Sequence, residues 1–261
     1  MNHLGQVPAV TVSFNLRPGY SLGEATGAVA DLARRVTDAF GYLRIEDARA
    51  RLGYKRKDIS LAIAGASALL TAKMAATLQV LSGGRFTLGI GAGWRDDEYA
   101  AYGYDFPSAK VRFQQLEEVI TICRLMWTED EPSFHGAHFR IDGASAPPLP
   151  NPVPRILIGA SGEQIGLPMV GRLADMWNCW YRGRDDWQKR MGIVHASAER
   201  AGRNPADIEV STTVEVALPE NDEQSEQLVE RLTKLADLGV QHFVMDFGHP
   251  KSTEHIARFA E

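Results

Sequence analysis

The chain has 261 residues, 44% hydrophobic and 23% charged, with a net charge of −5 and two cysteines. At this size a compact chain buries roughly 70–75% of its unfolded surface, so a core needs no staples. Cys123 and Cys179 are too few for a disulfide framework or a zinc ribbon, and the mildly acidic balance argues against a nucleic-acid surface. No apolar run approaches the ~20 residues of a membrane span. The opening MNHLGQVPAVTVSF lacks the basic and apolar regions of a signal peptide, so a reduced, cytoplasmic setting is expected.

The chain alternates short β-rich runs with helical patterns. Val10 to Phe14 predicts a strand. Ser21 with Glu24 makes a capping box that opens a helix running to about Ala39. Tyr42 to Glu46 and Ile59 to Ala66 predict the second and third strands, and Ala68 to Leu81 a helix. After the Ser82-Gly83-Gly84 break, Phe86 to Ile90 predicts a fourth strand, and an amphipathic helix runs from Ala109 to Thr128. The run SFHGAHFRIDG suggests a hairpin. Arg155 to Ala160 is apolar almost throughout, as in a strand buried on both faces. A helix from Glu163 to Ala174, a strand from Asp175 to Trp180, a helix from Asp185 to Ala201 and the strand IEVSTTVEVAL follow. The helix Ser225 to Leu238, the strand HFVMDF and a last helix Thr253 to Ala260 complete the pattern.

Eight strands alternating with helices predict one domain of the α/β class, a (β/α)8 barrel with a parallel sheet and right-handed crossovers. The second β/α unit is short or incomplete. About eleven residues join the second and third strands, whereas a parallel crossover needs a dozen or more.

Barrel chemistry collects at the C-terminal ends of strands. The run Gly159-Ala160-Ser161-Gly162-Glu163 leaves a strand and opens a helix. Bare N–H groups there suit a phosphate, with Ser161 as a further donor. Equally, Ser161 could simply cap the helix. Gly89 to Trp94 (GIGAGW) leaves room for a flat ring against the backbone, or marks tight packing or a bulge. It is not the dinucleotide fingerprint, which needs GxGxxG and an acid about 20 residues on.

Glu98 and Arg112 are placed to form a salt bridge. His135 and His138 are three apart but have no third ligand nearby, so no metal is expected. Trp94, Trp177 and Trp180 either wall an aromatic pocket or belong to the core. Cys179 has no basic neighbour in sequence to activate it. The Gly-x-Ser-x-Gly elbow of hydrolases is absent.

The run AKMAATLQVLSGGRFTLGIGAGW (Ala72 to Trp94) resembles the luciferase-like monooxygenase superfamily, in its branch of coenzyme F420-dependent oxidoreductases. The likeness continues through DDEYAAYGYDFPSAKVRFQQLEEVI, MWTEDEPSFHGAHFRIDG, PRILIGASGE and RLADMWN. It implies a (β/α)8 barrel with F420 at its C-terminal mouth, or FMN as the alternative. Gly159, Ala160, Ser161 and Gly162 would hold the cofactor phosphate. Gly91, Ala92 and Gly93 would lie beside the ring, with Gly65 and Ala66 at the third strand's end. Hydride transfer to or from a small organic substrate follows, and reduced-flavin monooxygenation is the alternative.

The chain departs from the family at several points. It reads Asp47-Ala48 where the family often has Asp-His, and Gln79 where Asp is common. Family members are usually longer. Asp47 is then expected to contact ring or substrate, with Glu98 and Trp180 as further candidates at the mouth. A homodimer is the oligomer that the resemblance suggests. The departures also leave open a degenerate barrel that binds a ligand without turnover.

Overall fold

The computed structural model describes residues 12–13, 68–101, 103–145, 147, 149–216 and 222–246. The expected second and third strands, the short crossover, the first and last helices, and Asp47, Gly65 and Ala66 lie outside these residues.

Eight strands are found among the described residues. They are β1 (Val12–Ser13), β2 (Thr87–Ile90), β3 (Phe134–His135), β4 (Arg140–Ile141), β5 (Arg155–Gly159), β6 (Met176–Asn178), β7 (Glu209–Glu215) and β8 (His242–Asp246). Six of them form one sheet in the order β1-β2-β5-β6-β7-β8. From β2 to β8 every pairing in that sheet is parallel. The expected hairpin is the antiparallel pair β3 and β4. The helices are α1 (Ala68–Leu81), α2 (Asp96–Ala101), α3 (Ala109–Thr128), α4 (Gly166–Leu173), α5 (Arg184–Arg200) and α6 (Asp222–Ala236). Among the described residues this is a parallel half-barrel with its crossover helices.

One expectation is corrected. The first strand runs antiparallel to β2, with Val12 opposite Leu88 and Ser13 opposite Thr87. A two-residue edge pairing carries no crossover and so escapes the constraint that keeps the other strands parallel.

Alternation along the strands sorts the sheet into two faces. Leu88, Ile90, Ile156, Ile158, Trp177, Val210 and Val214 are buried in the core with residues of the helices. The opposite face carries Gly89, Leu157, Gly159, Asn178, Ser211 and Thr213.

Helix α1 buries Ala68, Thr71, Ala72, Ala75, Ala76 and Gln79, one face at helical spacing. Its small side chains admit α3 closely, and Trp127 donates its indole N–H to the Ala72 carbonyl at 2.8 Å. Ser108 caps α3 by accepting from Val111 N at 3.4 Å. At α4 a Cβ on Gly171 would overlap the Val194 carbonyl, so only glycine allows α5 to sit this close.

Asp175 fastens the layers at the N-terminal end of the sheet. Its carboxylate accepts from Ile156 N at 2.8 Å and from Arg124 at 3.3 Å. Glu118 on α3 fastens the hairpin by accepting from the backbone N–H groups of Ala137, His138 and Phe139 at 2.7, 2.9 and 2.8 Å.

Candidate functional site

Because β2, β5, β6, β7 and β8 are parallel, the segments after Ile90, Gly159, Asn178, Glu215 and Asp246 share one end of the sheet.

After β2, Gly93 adopts φ +72°, and a Cβ there would overlap the Tyr99 hydroxyl. The turn is supported from beneath. The Ala92 carbonyl accepts from the Tyr99 hydroxyl at 3.3 Å and from Arg112 Nε at 3.1 Å. Arg112 also donates to the Pro107 carbonyl and lies 3.8 Å over the Phe106 ring. Phe106 meets Tyr99 edge-on at 4.7 Å. The expected Glu98 partner of Arg112 has its side chain outside the described residues. This Tyr99–Phe106–Arg112 support is not legible in the sequence, where only the Arg112 charge stands out.

Gly91 and Gly159 lie side by side, and a Cβ on Gly91 would stand 3.4 Å from the Gly159 carbonyl oxygen. Cβ positions at Gly159 and Gly162 meet open space. The Ala160 N–H donates to the Asn178 carbonyl at 3.3 Å, and the Ala160 carbonyl accepts from the Trp177 indole at 2.9 Å. The strand end is therefore fixed up to Ala160. Beyond it the backbone N–H groups of Ser161, Gly162, Glu163 and Gln164 have no partner among the described residues, and neither does the Ser161 hydroxyl.

The alternative role for Ser161, a helix cap, does not occur. Helix α4 begins three residues later than expected, at Gly166, with Ile165 at the cap position and no side-chain cap bond. Glu163, within this segment, is ion-paired with Lys189 at 2.7 Å.

Four consecutive solvent-exposed amides and a hydroxyl at a strand end are donors of the kind an anion accepts from. The glycine floor beside it suits a flat ring. This donor set matches a phosphate-bearing flavin or deazaflavin.

Next along the sheet stands a polar row. Asn178 donates to Ser211 Oγ at 3.0 Å and accepts from Thr213 Oγ1 at 3.4 Å, while Ser211 donates to the Trp177 carbonyl at 3.0 Å. Glu215 and Asp246 are register partners at the same end of β7 and β8.

The three tryptophans do not share one pocket. Trp177 is fully buried and stacks on Trp187 at 5.4 Å, whereas Trp94 and Trp180 are exposed. Cys179 does have a basic neighbour: Arg190 of α5, eleven residues on, donates to its sulfur at 2.8 Å. Even so, burial raises the Cys179 thiol above its ordinary range against the hydrogen bond and charge of Arg190. No group of three His, Cys, Asp or Glu among the described residues is arranged to hold a metal. No helix among them is long and apolar enough to cross a membrane.

The sequence profile described as luciferase-like monooxygenase matches residues 61–258. An F420-dependent hydroxymycolic acid dehydrogenase of Mycobacterium tuberculosis is 35% identical over 133 residues, covering 51% of this chain and 36% of that protein. A pyrimidine monooxygenase of Variovorax paradoxus is 30% identical over 117 residues, covering 44% of this chain and 31% of that protein. The chain thus spans about a third of the length of these two relatives. Among solved structures, an F420-dependent secondary alcohol dehydrogenase in complex with an F420-acetone adduct superposes with TM-score 0.64. It shares 18% identity over 78% of either chain, a likeness of fold. The profile covers most of the chain, and the chain belongs to the luciferase-like monooxygenase family.

Proposed function

We propose that the chain is a (β/α)8-barrel oxidoreductase of one domain that binds coenzyme F420 and transfers a hydride to or from a small organic substrate. The observation that carries this reading is the set of partnerless amides from Ser161 to Gln164 at the end of β5, beside the glycine floor of Gly91 and Gly159. When bound, the deazaflavin supplies or accepts the hydride.

The chain's own residues bind and orient. Ser161 and the amides through Gln164 hold the phosphate. Gly159 and Ala160 bring the strand end up to that phosphate, and Gly91 to Gly93 let the ring lie against backbone. Tyr99 and Arg112 keep that turn rigid, so the contact surface is preorganised. Asp47, Gly65 and Ala66 remain expected contacts from the front of the chain, and Glu98 and Trp180 from the mouth. A homodimer is the proposed assembly.

A second reading keeps the site and exchanges the cofactor. Reduced FMN offers the same phosphate and tricyclic ring, and one relative is named a monooxygenase. Separate titrations with oxidised F420 and with FMN, followed by fluorescence and thermal stability, decide between them. Micromolar binding of F420 alone supports the proposal, and selective FMN binding moves it to the monooxygenase. Binding of neither by the folded protein rejects both. An unchanged F420 affinity in Ser161→Ala and Gly162→Asp removes the phosphate assignment.

A further inference from the structure

Asn178 ends β6 as the register partner of Gly159 on one side and of Ser211 on the other. Residues paired in register point to the same face of a sheet. The half-buried Asn178 side chain therefore stands beside the glycine floor, where a Cβ on Gly159 would meet nothing within 4 Å.

The hydrogen-bond pattern fixes how the Asn178 carboxamide is turned. The Ser211 hydroxyl has one hydrogen, and it goes to the Trp177 carbonyl at 3.0 Å. Ser211 Oγ must then accept from Asn178, so Nδ2 faces Ser211 at 3.0 Å. Oδ1 faces Thr213, which donates to it at 3.4 Å. A flipped amide would set Oδ1 against the Ser211 oxygen and lose that contact. Nδ2 carries a second hydrogen, and it has no acceptor among the described residues.

Across Gly159, Asn178, Ser211 and Thr213 both hydroxyl hydrogens are already used, and the second amide hydrogen of Asn178 is left over. His242, next to Ser211 in the register, is paired with Glu209 at 3.4 Å. Glu215 and Asp246, further along the same face, offer acceptors when ionised. Arg182 and Arg184 come only after β6 has ended. An oriented donor beside a backbone floor suits a flat group with a carbonyl oxygen at its edge.

We propose that Asn178 donates its second amide hydrogen to a ring carbonyl oxygen of the bound cofactor, with Thr213 as the positioning residue that holds the amide turned that way. This rests on the oxidoreductase reading above, and the pyrimidinedione edge common to deazaflavin and flavin supplies the carbonyl. Reduction puts more negative charge on that oxygen, so the bond is stronger to the reduced ring.

The test reads the ring carbonyl directly. Infrared difference spectra of F420 bound to the wild-type protein are expected to show a ring carbonyl band at lower frequency than in Asn178→Ala. The same variant is expected to bind oxidised F420 about 3- to 10-fold more weakly by fluorescence titration, the range of one neutral hydrogen bond. Its loss is expected to be larger for reduced F420 by isothermal titration. Asn178→Asp keeps the shape but presents only acceptors when ionised, so it is expected to bind more weakly than Asn178→Ala. Thr213→Val removes the hold on Oδ1 and is expected to fall between wild type and Asn178→Ala in both carbonyl band and affinity.

An unchanged carbonyl band in Asn178→Ala, or Asn178→Asp binding as tightly as wild type, overturns the donor role. Thr213→Val identical to wild type in band and affinity overturns the positioning role. The wild-type protein gives a reading that needs no variant: in nitrogen-edited NMR one side-chain amide hydrogen of Asn178 is expected to move far more than the other when F420 is added. No movement of either in the F420 complex also overturns the donor role. F420 is titrated first against wild type, where absence of binding defeats the cofactor reading itself.

Discussion

Gln79 offers a sharp test of how the sheet is built around the site. Its side chain is 2% exposed and uses both ends of the amide. Nε2 donates to the Pro152 carbonyl at 2.8 Å, and Oε1 accepts from Phe86 N at 2.8 Å. One side chain thus joins the end of α1, the start of β2 and the connection into β5. Gln79→Glu keeps the shape and removes the donor. When ionised, the carboxylate still accepts from Phe86 but faces the Pro152 oxygen, acceptor to acceptor. The lost bond and the buried charge cost about 2–4 kcal/mol at pH 7. For a chain of this size each kcal/mol moves Tm by roughly 2–4 °C, so Tm falls by about 4–16 °C.

The pH dependence gives an independent check. In the Gln79→Glu variant the introduced carboxyl can donate to Pro152 only when protonated. Folding therefore favours the neutral acid and raises its pKa above the unfolded value of about 4.3. Stability associated with that proton is fully present below the unfolded pKa and is lost as pH rises through the folded one. Urea melts of the variant should therefore approach wild type near pH 4 and fall away toward pH 7. A variant as stable as wild type at pH 7, or a deficit that does not change with pH, would refute the donor role.

Three further outcomes are expected. Gly93→Ala places a Cβ against the Tyr99 hydroxyl at φ +72°; the left-handed backbone alone costs about 1–2 kcal/mol, and F420 affinity measured by fluorescence should drop, with partial recovery when Tyr99→Phe is combined with it. Glu118→Gln replaces an acceptor of three backbone N–H groups with a half-donor, at about 1–3 kcal/mol; hydrogen exchange should speed up at Ala137 to Phe139 and not in α5. Asp142 is held down to about 2, first by the hydrogen bond from Arg140 and then by that from His135. Its contribution is present above the ordinary carboxylate range and is lost as pH falls through about 2; carbon-detected NMR titration should find that midpoint, and Arg140→Ala should raise it.

What can be read in the sequence is what local chemistry decides. The bounds of α3 follow from its amphipathic spacing, while its Ser108 cap is seen only in the structure, and the hairpin is visible as the run SFHGAHFRIDG. Helix α2 escapes such a reading because six residues hold too little periodicity to see. Helix α4 starts late because three turn residues intervene after Gly162, a detail that leaves Ser161 free rather than capping. The tertiary partners are out of reach. Gln79 meets Pro152 across 73 positions, Arg124 meets Asp175 across 51, and Cys179 meets Arg190 across a strand-to-helix turn. Each depends on the layers having already formed. The glycines and Ser161 of the proposed phosphate site can be named from sequence because that chemistry needs only backbone at the end of a strand.

The most direct test of the account is amide hydrogen exchange at residues 161–164 with and without saturating F420. Marked slowing at these four amides, together with Gly91 to Gly93, is the predicted result. Bound F420 with unchanged exchange at Ser161 to Gln164, or no binding by the folded protein, would contradict it.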